Sequence, residues 1–265
     1  MTTPAPGGRI SSPDFVQSLA RGLRVIEVFD ASRPRQTLSE VARVADLTRA
    51  TARRFLRTLA DLGYVGTDGT SFWLTPRVLD LGYSYLSSMP LPEIAQPHLE
   101  KLSSAVGESS SVSILDSSDV VYVSRVQVRR IMTVGITIGT RFPAHTTSMG
   151  LVLLAGLSSS DLDDYFAHTP LEVEGAAFRV PDEETLRQRI DAVARKGYAL
   201  VDQELEPGLR SLAAPIRDAE GRVVAAVNLS THAMRYSIEQ LEADFLPRLL
   251  STADSISTDL RSVNR

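Results

Sequence analysis

The stretch Leu38-Ser39-Glu40-Val41-Ala42-Arg43-Val44-Ala45-Asp46-Leu47-Thr48-Arg49-Ala50-Thr51-Ala52-Arg53-Arg54-Phe55-Leu56-Arg57-Thr58-Leu59-Ala60-Asp61-Leu62-Gly63 decides the reading of this chain. Ahead of Asp46, residues Leu38, Val41, Ala42 and Ala45 share one helical face, and Thr37 or Ser39 can cap it. After the short Asp46-Leu47-Thr48 turn, Thr48 is a suitable N-cap for a second helix running to Gly63. That helix carries Ala52, Phe55, Leu56, Leu59 and Leu62 as its buried stripe and Gly63 as its C-terminal stop. Two short helices across a three-residue turn spell a helix-turn-helix. Tyr64-Val65-Gly66 and Phe72-Trp73-Leu74 follow as β-type runs around Asp68-Gly69, a strong turn signal, so the motif acquires a wing.

Reading outward, Val16, Leu19, Leu23, Ile26 and Phe29 keep helical spacing until Ala31–Gln36 interrupts it. Residues 1–13, rich in Pro, Gly, Ser and Thr, read as a disordered arm, 14–75 as the winged domain, and 76–89 as a linker helix. Residues 90–265 alternate helical and strand-like segments. Helices are expected at 93–106, 147–157, 159–167, 183–196 and 237–261. Strands are expected at 110–116, 119–126, 131–138, 198–202, 211–217 and 223–230. Hairpin turns at 116–119 and 218–221 make the sheet antiparallel, and flanking helices make the domain α+β.

Composition narrows the function classes. At 265 residues the chain suits about two domains. Cysteine is absent, which removes disulfides, thiolate nucleophiles and cysteine-ligated metals. The four histidines, at 98, 145, 168 and 232, have no His-x3-His spacing, so neither a metal nor a cofactor is expected. The longest apolar run, Leu151–Leu157, is far shorter than the ~20 residues of a membrane span, and no secretory leader is evident. A cytoplasmic location without membrane association is expected. The charge is split: residues 1–88 hold 11 Arg against 8 Asp+Glu, while residues 89–265 hold 17 Lys+Arg against 24 Asp+Glu. A basic first third on an acidic chain suits a local polyanion-binding surface.

The charge concentrates on the second helix. Arg49, Arg53 and Arg57 recur every four residues, Arg54 stands beside them, and no acid lies between Thr48 and Thr58. Guanidinium forks pair with guanine edges and grip phosphates, and the first residues of such a helix meet base edges. Arg49, Thr51 and Arg53 are therefore assigned to bases, and Arg54 and Arg57 mainly to phosphate. The other reading of this face is a solvated arginine-rich surface. Thr67, Thr70 and Ser71 either touch backbone oxygens from the wing or only form its turn. Arg9 either reaches a minor groove or belongs to the tail.

In the second domain, Gly139-Thr140-Arg141-Phe142-Pro143-Ala144-His145-Thr146-Thr147-Ser148-Met149-Gly150 runs from a strand into a helix start. Amides of Ser148 and Met149 are candidates to cradle an anion, with His145 and Thr147 as side-chain donors; otherwise Thr147 merely caps and His145 merely packs. Ser211, Asn228 and Ser230 are polar points in apolar strands, and Asn228 and Ser230 share a strand face. Their partners are a ligand, water or local backbone. Asp202, Gln203 and Glu204 near a strand end are candidates to bind ligand hydroxyls, and Arg125, Arg129, Arg130, Arg141 and Arg210 to neutralise an acid. The sequence has no nucleophile elbow, P-loop, dinucleotide fingerprint or zinc-protease motif. A Ser148–His145–Asp202 triad is the remaining enzymatic alternative.

From about Phe15 to Leu260 the chain resembles the IclR family of bacterial transcriptional regulators. The resemblance is carried by Arg53–Val65, Gly139–Ala155 and Val201–Ser211 with the strands that follow. The wording at Ser148-Met149-Gly150, Val201–Glu204 and Asn228–Ala233 is most similar to the branch governing aromatic-acid breakdown by the β-ketoadipate pathway. The resemblance implies a GAF-like effector domain and a homodimer or dimer of dimers on double-stranded operator DNA. It also implies a small organic-acid effector: its carboxylate on the Ser148 and Met149 amides, its remainder against Ser211, Asn228 and Ser230. Leu151 stands where the family often has Lys or Arg. The function expected is a non-enzymatic regulator answering to an aromatic acid or a keto-dicarboxylate. The alternatives are a regulator whose second domain only dimerises, or a Ser/His hydrolase.

Overall fold

The computed structural model describes residues 14–86, 89–128, 136–172 and 182–263. The chain divides into two compact units, Met1–Ser87 and Ser88–Arg265. The expected arm with Arg9, the first part of the 131–138 strand, and Arg129 and Arg130 lie outside the described residues.

The first unit contains α1 (Gln17–Glu27), β1 (Gln36–Thr37), α2 (Leu38–Val44), α3 (Arg49–Asp61), β2 (Val65–Thr67), β3 (Ser71–Leu74) and α4 (Leu79–Leu86). Thr37 closes a reciprocal capping box with Glu40 at the start of α2. Thr48 caps α3 by accepting the Thr51 amide proton. Asp46 takes positive φ within the turn, and Gly63 takes φ +81° just past α3, a backbone shape that glycine adopts without strain. The wing is an antiparallel sheet in the order β1-β3-β2. Its two-residue β1 was not expected, since so short a strand carries no periodic signal.

Val25, Val28, Phe29, Val41, Ala45, Leu56, Leu59 and Val65 build the core of this unit. The helical spacing of α1 leaves its phase open, and one expectation, at Leu62, is corrected. Val16, Leu19 and Leu23 keep helical spacing but are 58%, 62% and 48% exposed. The inward face of α1 passes instead through Gly22, which faces the Phe55 ring, and through the fully buried Val25. Leu62 was expected to be buried. It is 51% exposed, because at the C-cap the helix has turned its stripe off the core.

The second unit contains α5 (Leu91–Val106), β4 (Ser109–Asp116), β5 (Asp119–Val126), β6 (Arg141–Pro143), a 3-10 turn (Ala144–Thr146), α6 (Ser148–Leu154), α7 (Ser159–His168) and α8 (Glu183–Lys196). After these come β7 (Ala199–Asp202), β8 (Leu209–Arg217), β9 (Val223–His232), α9 (Ile238–Gln240), a π turn (Leu241–Phe245) and α10 (Leu246–Val263). The strands form one antiparallel sheet in the order β6-β5-β4-β9-β8-β7.

Strand periodicity gives this sheet two different faces. Val112, Leu212, Ala214, Val227 and Leu229 pack with α5 and α10. Alternate residues such as Val201, Ala213 and Ala226 pack with Met149, Val152, Leu186 and Ile190 of α6 and α8. Gly150 lets the first turn of α6 fold tightly against the 3-10 turn before it. A Cβ there would lie 1.9 Å from the Ala144 carbonyl oxygen, so no larger residue fits without moving backbone. The α+β class with an antiparallel sheet between helices is as expected. Among the described residues no helix is long and apolar enough to cross a membrane.

Candidate functional site

Helix α3 is amphipathic because its apolar residues recur at helical spacing. Ala52, Leu56 and Leu59 are buried, while Arg49, Arg53, Arg54 and Arg57 are exposed. No ion pair among the described residues involves these four arginines. Thr51 is half-buried, and its hydroxyl lies 2.8 Å from the Thr48 hydroxyl, within the cap. Asp61, at the far end, is the one acid of this helix. The surface is a row of guanidinium forks backed by a packed helix, which can meet a polyanion without first breaking salt bridges.

The wing beside it is held by local hydrogen bonds. Asp68 Oδ1 accepts the Thr70 and Ser71 amides at 3.0 and 2.7 Å, which pulls the Asp68 carboxyl below the ordinary carboxylate range. Thr70 is exposed at the tip. Arg35 stacks 4.0 Å over the Trp73 ring and reaches Asp68 at 3.4 Å.

The second unit holds a cavity lined by Tyr122, Ile136, Thr146–Met149, Val201, Leu205, Leu209, Ser211, Asn228 and Ser230. Register explains the gathering. Ser211 pairs with Ser230 across β8 and β9, Asn228 follows two residues before on the same face, and α6 lies over them. Ser211 donates to Ser148 Oγ at 2.9 Å, and Asn228 Nδ2 donates to Ser230 Oγ at 3.1 Å. Asn228 is 3% exposed, yet its Oδ1 has no partner. A buried amide oxygen left unpaired costs stability, which makes this acceptor a strong point for an incoming donor. The walls stand close: about 10 Å³ is open to the centre of a water molecule, whereas a cavity that takes a benzene ring is about 150 Å³.

Thr147 borders the cavity, but its hydroxyl accepts the Gly150 amide and caps α6. His145 stays outside the lining. Its Nδ1 lies 3.0 Å from the Tyr165 hydroxyl, and burial lowers its pKa, which favours the neutral ring. Asp202 and Gln203, expected to bind ligand hydroxyls, are each engaged by a neighbour. Asp202 makes a two-pronged ion pair with Arg210 at 2.8 and 2.9 Å, and Gln203 Oε1 accepts the Gly208 amide at 3.1 Å. Neither lines the cavity; no feature of the sequence identified Arg210 as the partner that claims Asp202. The alternative Ser148–His145–Asp202 triad is not assembled: these side chains hydrogen-bond to Ser211, Tyr165 and Arg210, not to one another. Glu204 pairs with Arg189, and Arg141 with Asp116 and Asp119. Tyr122, Val201, Leu205 and Leu209 were missed as lining residues. The period of two that placed Asn228 and Ser230 gave the matching signal for Val201 and Leu209 in the neighbouring strands.

Comparison with known proteins agrees with both units. Residues 18–69 match the IclR helix-turn-helix domain and residues 83–258 match the bacterial transcriptional regulator IclR C-terminal domain. The Pca regulon regulatory protein of Pseudomonas putida is 40% identical over 261 residues, covering 97% of this chain and 89% of that protein. A solved structure from Rhodococcus sp. RHA1 is 61% identical with a TM-score of 0.82, covering 94% of this chain and 100% of the other. An IclR homolog from Microbacterium hydrocarbonoxydans, solved in complex with 4-hydroxybenzoate, is 28% identical with a TM-score of 0.80, covering 93% and 100%. By its motifs, its fold and its likeness over nearly the whole length, this chain belongs to the IclR family of bacterial transcriptional regulators.

Proposed function

We propose that this regulator controls genes of aromatic-acid catabolism, binding operator DNA through α3 and an aromatic acid or keto-dicarboxylate in the cavity beneath α6. Arg49, Thr51 and Arg53 read base edges, Arg54 and Arg57 hold phosphate, and Thr70 touches backbone from the wing. Ser148, Met149, Ser211, Asn228 and Ser230 receive the effector. The observation that carries the reading is the deeply buried Asn228 with an unpaired carbonyl oxygen in a hydroxyl-lined cavity. It is supported by likeness to a Pca regulon regulator and to a homolog holding 4-hydroxybenzoate.

Two such chains, as a homodimer or a dimer of dimers, read half-sites spaced by whole helical turns of about 34 Å. The acid acts by binding one arrangement of the paired winged domains more tightly than another. Because the walls must part to admit a ring, ligand entry and movement of α6 or of the Gln203–Gly208 turn are coupled. The chain acts in the cytoplasm and catalyses no reaction.

Calorimetry of the whole chain with 4-hydroxybenzoate, protocatechuate and β-ketoadipate tests the effector. Heat is expected from at least one acid, with no turnover of it. Absence of heat across the panel contradicts effector binding and leaves a second domain that only dimerises.

A further inference from the structure

Several arginines of the second unit are tied to carboxylates, and Arg217 at the end of β8 donates to the Gly221 carbonyl. Arg141 is bound to Asp116 and Asp119, Arg189 to Glu204, Arg210 to Asp202, Arg222 to Asp218 and Arg235 to Glu108. Arg125 on β5 is different. Its side chain is half-buried, its Nη1 donates to Ser111 Oγ at 2.9 Å, and its Nε is buried with no partner. No carboxylate among the described residues pairs with it.

Register places this cation beside the cavity. Ser111 is the direct cross-strand neighbour of Arg125 on one side and of Asn228 on the other. Directly opposed residues in an antiparallel sheet share a face, so Arg125, Ser111 and Asn228 form one row across β5, β4 and β9. Two strand spacings, about 10 Å, separate its ends at the backbone, and a long arginine side chain bridges most of that. Tyr122, which lines the cavity, has its pKa pushed up to about 12 by burial, and Arg125's charge acts against that rise. Arg125's own pKa is drawn down by burial, as expected for a charge short of partners. A guanidinium removed from water without a counter-charge is costly, and an entering anion relieves that cost.

We infer that Arg125 is the specificity-determining cation of the effector site: it takes the carboxylate, while Asn228 and the serine hydroxyls take the uncharged polar groups of the same ligand. This rests on the effector reading above, and it moves the carboxylate from the Ser148 and Met149 amides to the β5 side of the cavity. The site then selects acids over their esters through one ion pair.

The test uses the whole chain and two probes, 4-hydroxybenzoate and methyl 4-hydroxybenzoate, in calorimetric titrations of the wild type, Arg125→Gln and Arg125→Lys. The wild type is expected to prefer the acid over the ester by about tenfold or more. In Arg125→Gln that preference collapses because acid binding weakens while ester binding holds. Arg125→Lys, which keeps the charge but loses the fork, falls between them. Thermal melts of each variant check folding, and if Arg125→Gln does not fold, the Lys variant's acid-to-ester ratio decides. An unchanged ratio in the variants, an equal loss of both ligands, or a wild type that binds both alike overturns the assignment and leaves effector binding standing. A wild type that binds neither probe nor any acid of the panel overturns both.

Discussion

The two units handle arginine in opposite ways. On α3, four arginines stand exposed, with no ion pair among the described residues. In the second unit, Arg141, Arg189, Arg210, Arg222 and Arg235 are each tied to a carboxylate. Charges kept free serve a partner that brings its own anions in bulk, and their contribution depends on salt. Charges tied internally serve to pin strand ends and turns. Arg210, for example, joins Asp202 on β7 to the Ala233 and Tyr236 carbonyls ahead of α9. The cavity follows a third rule, in which its lining offers neutral hydroxyls and one amide, and Arg125 stands beside it with no carboxylate partner among the described residues.

Substitutions break this comparison to different degrees. The largest effect is expected from Gly150→Ala, where the new methyl meets the Ala144 carbonyl and cannot rotate away. A loss of about 3 kcal/mol in the second unit is expected from overpacking against backbone, read by chemical denaturation; a loss within error would mean that α6 slides freely. On the DNA side, Arg53→Ala should cost ~1–3 kcal/mol and relax preference at one base position, whereas Arg57→Ala should weaken all sequences and flatten the salt slope by about one unit. Equal losses on operator and random DNA for both variants would erase the division between base and phosphate contacts. Asn228→Leu should abolish the effector response, about tenfold or more in affinity, while leaving operator affinity unchanged. An effector titration matching the wild type would take Asn228 out of the site.

The smallest effect is one of pH. Burial lowers the His145 pKa in the folded chain, so its contribution is fully present above the unfolded value of about 6.5 and declines as pH falls through the folded value. Melting temperatures should therefore drop modestly between pH 7 and 5, and His145→Gln should flatten that part of the profile. A steeper profile in the variant would assign the acid sensitivity elsewhere.

The winged motif was legible because each of its joints has a local chemical cause: the Thr37 and Thr48 caps, the three-residue turn, Gly63, and Asp68-Gly69. The antiparallel sheet was legible from alternation and from turns at 116–119 and 218–221. What was not legible depended on partners distant in sequence. Asp202 looks like an acceptor for ligand hydroxyls until Arg210 is placed beside it, and His145 like a donor to an anion until Tyr165 is. The outward turn of Leu19 and Leu23 was hidden for a related reason. Helical spacing gives the period of α1 but not its phase, which shows in the burial of Val25 and in Gly22 facing Phe55. Arg125 was one of five interchangeable candidates in the sequence; among the three that lie in the described residues, the pairing of Arg141 and Arg210 with acids sets it apart.

The central claim is that an acid in the second unit governs how the arginine-bearing helices hold DNA. Footprinting the intergenic region beside the chain's own gene, with and without the acid panel, tests it most directly. A protected site at physiological salt, whose extent or affinity changes with an acid in the wild type but not in Asn228→Leu, is the expected result. No preferred site, or a footprint indifferent to every acid, would contradict it.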